Sequence, residues 1–340
     1  MERICNKVLS IVMSGLIAVM AFPAAAWAQV WEGASHVALR AGALAVQDAG
    51  YDIGWYTDDP ESDEFAIETP AQLRGLSQLV NGTAEDADGA ISAVSFEGKT
   101  IVQEGAISLS AGAFTPIGSL EHPFAGTYDG QDRAISSLRI DAFSSYVGLF
   151  GFVSASGALR NIRLENGVLA NGDAAGIVID TDTDYVGCAG SLVGQCDGTV
   201  SGCSSGVAVA VTSNALATVE QPYVVQRVGG LVGFARGDIA GCSYVGSLNV
   251  QVYSDTVDAD ASSESLRVAD SFGGIVGRFG DPDLHGTLAD SWNEGEVVVQ
   301  VHGAGAVDRF GTMTYANAFF VGGIAGYSNG SVLRCHNGAY

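Results

Sequence analysis

Apolar residues follow two different spacings along the chain. Between Thr69 and Gly82 the spacing is helical, and Leu73, Leu76, Leu79 and Val80 share one face. The start is well marked. Thr69 suits the N-cap, Pro70 the first helical position, and Gln72 completes a capping box, while Asn81-Gly82 supplies a stop. From Phe96 onward the apolar residues come in short β-branched runs punctuated by glycine. Phe96–Ile101 and Ala106–Leu109 are predicted strands, and Asp129-Gly130 is a predicted turn before Ile135, Leu138 and Ile140. Three later runs alternate with period two: Val207–Val211, Leu248–Val252 and Val297–Val301. Each reads as a strand with one buried face.

A unit then recurs. Gly148-Leu149-Phe150-Gly151, Ser191-Leu192-Val193-Gly194, Gly230-Leu231-Val232-Gly233, Gly274-Ile275-Val276-Gly277 and Gly323-Ile324-Ala325-Gly326 are one pattern, at intervals of 43, 39, 44 and 49 residues. Cys203, Cys242 and Cys335 each stand nine residues after the last glycine of their unit. Ser291 takes that place after five inserted residues, and Ile162 after two. Repeats of this period indicate stacked supersecondary units that share a core. Burying each Leu, Val or Ile contributes roughly 1.5–3 kcal/mol. Each flanking glycine costs roughly 0.5–1 kcal/mol in chain entropy. The tetrapeptide is therefore favourable only around a real interior, with its glycines at a sharp turn or a close backbone approach. The expected fold is all-β, a β-solenoid resembling a parallel β-helix, with an N-terminal capping helix. The predicted boundaries are 1–28 for a signal peptide, 29–95 for an acidic segment with the capping helix, and 96–340 for the solenoid.

The five tetrapeptides, three of them followed by an Ile/Val-x-x-Cys element, resemble the GLUG repeat of bacterial surface proteins. Ala71-Gln72-Leu73, Phe96–Ile101, Thr115–Gly118 and Pro123–Gly130 are similar to the lead-in found in such proteins. The resemblance covers about Phe65 to Tyr340. It departs at Ser191, which replaces a glycine, and at Ser291, which replaces the cysteine. It implies an extracellular β-solenoid of adhesin-like proteins, found also in the non-catalytic part of some IgA-cleaving metallopeptidases.

Composition narrows the compartment and the partners. With 15 Lys+Arg against 38 Asp+Glu, the net charge is −23. A phosphate backbone needs clustered cations, so nucleic acid is excluded as a partner. The 47% hydrophobic content excludes a disordered acidic chain. At the N-terminus, Arg3 and Lys7, the apolar stretch Val8–Phe22 and Ala26-Trp27-Ala28 read as a secretion signal cleaved before Gln29. No second run of membrane length follows, so no stable span is expected after cleavage. Secretion, with association to the cell surface, is the expected localisation. Cleavage leaves Cys188, Cys196, Cys203, Cys242 and Cys335. An odd number cannot close a complete disulfide framework. Small buried thiols are the preferred reading, with a Cys188–Cys196 or Cys196–Cys203 bridge as the alternative.

Candidate chemistry is sparse. None of His36, His122, His285, His302 and His336 begins a zinc-peptidase motif, so the peptidase role does not carry over. Asp129, Asp132 and Arg133 have the residue types of a polysaccharide lyase or hydrolase site, but a tight Asp-Gly turn with a solvated face explains them better. Asp180, Asp182 and Asp184 alternate and could turn three carboxylates to one side, where Ca²⁺ is the fitting ion. The EF-hand loop and the Ca²⁺-binding nonapeptide are absent, so solubilising charge is preferred and no cofactor is expected. The acidic stretch Asp255–Arg267 reads as a projecting loop. If the Cys203, Cys242, Ser291, Cys335 row points inward, Ser204, Ser243, Trp292 and His336 point out. Trp292 could then stack on a sugar or a partner surface, although packing under a neighbouring loop is the preferred reading.

The leading functional expectation is a secreted or surface-associated, non-catalytic binding, adhesion or spacer module. Its partner would be a host or matrix glycan or protein. The alternative is a carbohydrate-active β-helix enzyme. The last unit stops at Tyr340, before its period-two strand, and no polar cap follows. A longer parent chain, or a partner at that end, is the expectation there.

Overall fold

Each tetrapeptide sits at one corner of one coil, and five coils lie in register. In the computed structural model a coil passes through five parallel sheets in turn. Sheet I holds Tyr146–Val147, Val186–Ala189, Tyr223–Gly229, Arg267–Gly273 and Phe320–Gly322. Sheet II follows the tetrapeptide corner with Phe150–Val153, Val193–Cys196, Val232–Ala235, Val276–Phe279 and Ala325–Ser328. Sheet III runs through eight strands, from Glu64–Ile67 to Ser331–Leu333, and sheet IV through seven, from Ile107–Ser108 to His336–Asn337. Sheet V holds Arg139–Ile140, Gly176–Thr181, Val209–Ser213, Ser247–Tyr253 and Glu296–His302. The structure describes residues 50–141, 145–167, 175–181, 186–213, 223–253, 267–302, 306–307, 313–314 and 320–338. The expected signal, 1–28, lies outside these, as does 255–266 of the acidic stretch.

Stacking is carried by identical positions on successive coils. In sheet III, Leu159, Val200, Ile239, Leu288 and Val332 are register partners, continued backwards by Tyr128, Ile101 and Phe65. At the corners, the amide of Leu192 donates to the carbonyl of Leu231 at 3.0 Å, and that of Ile275 to Ile324 at 2.9 Å. The last glycine of the tetrapeptide lies against the backbone of the preceding coil. A Cβ on Gly233 would stand 2.5 Å from the Gly194 carbonyl oxygen and 2.6 Å from the Ala189 nitrogen. Any side chain there would push the coils apart, which accounts for the recurring glycine. The predicted period-two strands form sheet V, where Val209, Leu248 and Val297 stack, as do Val211, Val250 and Val299.

The N-terminal region departs from the sequence reading in two ways. The ladder begins before the helix, because Glu64–Ile67 pairs in parallel with Thr100–Gln103. This strand is short, and it buries only Phe65 and Ile67 among acidic neighbours. Its alternation is therefore hard to see in the sequence. Phe96, expected in a strand, sits in a turn at φ 59° with its ring buried. The helix itself forms as expected. It follows a short helix, α1 (Gly54–Thr57), and spans Pro70–Asn81, here α2. Thr69 and Gln72 close the capping box, and Gly82 ends α2 at φ 69° in the left-handed region. Leu73, Leu76, Leu79 and Val80 are all buried over the first coils.

Candidate functional site

The cysteine row faces the interior. Cys203 and Cys242 are buried, and so is Ser291 in the same place. Each closes the step from sheet III to sheet IV with the same bond to the carbonyl two residues back. Cys203 Sγ lies 3.3 Å from Ser201 O, Cys242 Sγ 3.4 Å from Ala240 O, and Cys335 Sγ 3.4 Å from Leu333 O. Ser291 Oγ donates to Ala289 O at 2.8 Å, so a hydroxyl performs the thiol's task and the substitution is conservative. The five thiols among the described residues are free, and neither candidate bridge forms. Burial pushes the Cys188 thiol up to about 11 and the Cys196 thiol up to about 12. These are inert packing groups rather than nucleophiles.

On the outer side of sheet IV, Arg163, Ser204, Ser243, Trp292 and His336 are register partners. Trp292 is 41% exposed. Asp129 sits at its turn with both carboxylate oxygens occupied. Arg160 Nε donates to Oδ2 at 3.0 Å, while Asn161 Nδ2 and the Gln131 amide donate to Oδ1 at 3.1 and 3.0 Å. Asp132 and Arg133 are exposed beside it. The arrangement braces one coil against the next. Asp180 is exposed on sheet V, whereas Asp182 and Asp184 lie outside the described residues. Among the described residues no cluster of three metal-ligating side chains forms.

The densest constellation escaped the sequence reading. Outward residues of sheets I and II converge outside the tetrapeptide corner, which is therefore re-entrant. One row is Tyr146, Cys188, Arg227, Ser271 and Phe320. The other is Phe152, Gln195, Phe234, Arg278 and Tyr327. They touch across the corner. The Tyr146 and Phe152 rings stand 5.2 Å apart, Arg227 lies 4.4 Å over the Phe234 ring, and the Phe320 and Tyr327 rings stand 5.2 Å apart. Three guanidinium groups surround the single Phe234 ring, with Arg236 at 5.3 Å and Arg278 at 6.0 Å. Arg236 is neutralised by Asp197 at 3.2 Å and Asp281 at 2.7 Å. Arg227 and Arg278 share one carboxylate, each 3.8 Å from Oδ2 of Asp270, which is too long for a hydrogen bond. A signal was available in the sequence. Phe152, Gln195, Phe234, Arg278 and Tyr327 each directly follow the last glycine of their tetrapeptide.

No protein-family model matches the chain. A stretch of 61 residues, 18% of the chain, is 36% identical to halomucin of Haloquadratum walsbyi, and the match spans about 1% of halomucin's length. Among solved structures, a Bacteroides ovatus protein provisionally assigned as an immunoglobulin A1 protease aligns over 81% of this chain and 78% of its own. The TM-score is 0.42 at 15% identity. The fold assignment rests on the five in-register sheets described above. Among the described residues no helix is long and apolar enough to cross a membrane.

Proposed function

We propose that the chain is a secreted or surface-associated, non-catalytic binding module of the GLUG-repeat kind, with 1–28 as a cleaved signal. The observation that carries this reading is the conversion of each sequence repeat into one coil. Residues at equivalent positions then stand in straight outward rows, such as the one that presents Trp292. Parallel strands stack about 4.8 Å apart, so such rows meet an extended ligand at several points. Affinity then comes from repeated modest contacts rather than from one pocket. The Asp129 turn supports the same reading, because its carboxylate braces one coil against the next through Arg160 and Asn161. The partner is a host or matrix glycan or protein.

A glycan array with residues 29–340, beside a reducing-sugar assay on acidic polysaccharides, tests this. The expected result is binding without release of sugar, and weaker binding in Trp292→Ala. Turnover that disappears in Asp129→Asn or Asp132→Asn would make the chain an enzyme instead.

A further inference from the structure

The re-entrant corner between sheets I and II holds hydrogen-bond donors that the protein does not use. The Nε groups of Arg227 and Arg278 are buried, and among the described residues neither has a hydrogen-bond partner. Ser271, between Arg227 and Phe320 in the same outward row, is fully buried with its hydroxyl equally unmatched. Among the described residues the hydrogen bond of the Arg227 guanidinium runs to the Cys188 sulfur, at 4.0 Å, which is a weak acceptor. Buried polar groups are nearly always satisfied, and each one left unmet costs stability. Arg227 and Arg278 both stand 3.8 Å from one oxygen of Asp270, so their unmet donors lie close together and leave a place for an acceptor.

With Arg236 paired to Asp197 and Asp281, two guanidinium groups face the single carboxylate of Asp270. Three guanidinium groups against the carboxylates of Asp197, Asp270 and Asp281 leave the corner balanced on a chain of net charge −23. The acidic surface repels anions that come within a screening length of about 8 Å of it. An extended polyanion meets that surface along its whole length, whereas one compact carboxylate meets only the corner. Beside the arginines stands an aromatic wall. Tyr327 lies under Arg278 at 5.1 Å and against Phe320, which is partly open to solvent. Ring faces of this kind stack on the C–H face of a pyranose.

We propose that Arg227, Arg278 and Ser271 form a subsite for the carboxylate of an acidic sugar, whose ring lies on Tyr327 and Phe320. This rests on the binding reading above and assigns it a ligand class. Guanidinium groups are suited to planar carboxylates, and the bonds are charge-assisted.

The test uses the mature chain, residues 29–340. Its affinity is measured for oligosaccharides ending in glucuronic acid or N-acetylneuraminic acid, and for the same oligosaccharides with the carboxyl group reduced to the alcohol. The reduced forms are expected to bind at least about tenfold more weakly, as loss of a hydrogen bond to a charged group implies. Arg278→Gln and Arg227→Gln are expected to lose a similar factor for the acidic forms only, and Arg334→Gln, on the exposed Asp290 pair, to lose nothing. The two acids distinguish uronic from sialic termini, and binding of either supports the subsite. Should an arginine variant fail to fold, the comparison of acidic with reduced ligand on the unmodified chain still decides. Equal binding of both forms, with loss in Trp292→Ala, overturns the subsite and leaves the binding module standing. Binding of a glutamate-rich peptide but no acidic sugar also overturns it. No binding to any glycan or protein removes both readings.

Discussion

The two ends of the coil stack solve the same problem differently. At the N-terminal end, α2 lays four apolar side chains over the first coils. It is fastened by Arg74 Nη1 to the Ala113 carbonyl at 2.8 Å and by Asn81 Nδ2 to the Pro116 carbonyl at 2.9 Å. Trp55, Phe65 and Phe96 fill the space beneath, with ring centroids 5.4–6.0 Å apart. At the other end the last described coil lacks such a cover among the described residues. Leu288 is fully buried, but Val332, its register partner one coil on, is 43% exposed. Phe272 and Val321 make the same contrast in sheet I. A coil thus obtains much of its burial from the coil stacked on it, as expected when each repeat touches only its neighbours.

The largest effect is expected where that cover is broken. Leu76→Asp places a carboxylate in the fully buried face of α2, with no partner for the charge. A loss above about 4 kcal/mol is expected, read by urea denaturation. An unchanged midpoint would mean that α2 does not cover the core. A gentler comparison uses one residue type at equivalent corners. Ile275 is fully buried, while Ile324, one coil later, is half-buried. Ile275→Ala should cost about 2–5 kcal/mol and Ile324→Ala less than half of that. Equal losses would show that some other element buries the last corner.

The same contrast explains what the sequence discloses. The solenoid was legible because stacking repeats the inward positions: apolar corner residues, a glycine with no room for Cβ, and a small residue bonding to the carbonyl two back. The helix was legible because its capping box is local. The outward rows were not. At the corner, the position after the tetrapeptide holds Phe152, Gln195, Phe234, Arg278 and Tyr327 in turn. Nothing in that order repeats, and only the re-entrant turn shows that these residues meet Tyr146, Arg227 and Phe320. The strand Glu64–Ile67 was hidden for a related reason. Two buried residues between charges carry too little period to recognise, and its partner lies 36 residues further along.

The smallest effect compares thiols in one row. Burial raises the Cys203 thiol well above its usual range, as it does those of Cys188 and Cys196. Cys335 occupies the equivalent place at the open end and is only half-buried. Alkylation by iodoacetamide at pH 8, read by peptide mass spectrometry, should therefore reach Cys335 at least about tenfold faster than Cys203, since the thiolate is the reactive form. The buried thiols also set a direction with pH. Unfolded, each ionises near pH 8.5, whereas in the fold Cys188 and Cys196 hold their protons to about 11 and about 12. The folded chain then binds more protons than the unfolded one, so this contribution to stability is complete below about pH 8.5 and falls as pH climbs from there through those values. Cys188→Ala or Cys196→Ala should flatten that decline between pH 9 and 11, by on the order of 1 kcal/mol each. Equal labelling of Cys203 and Cys335 would mean that the interior coils open as freely as the last one, and the contrast between the two ends would lose its physical content.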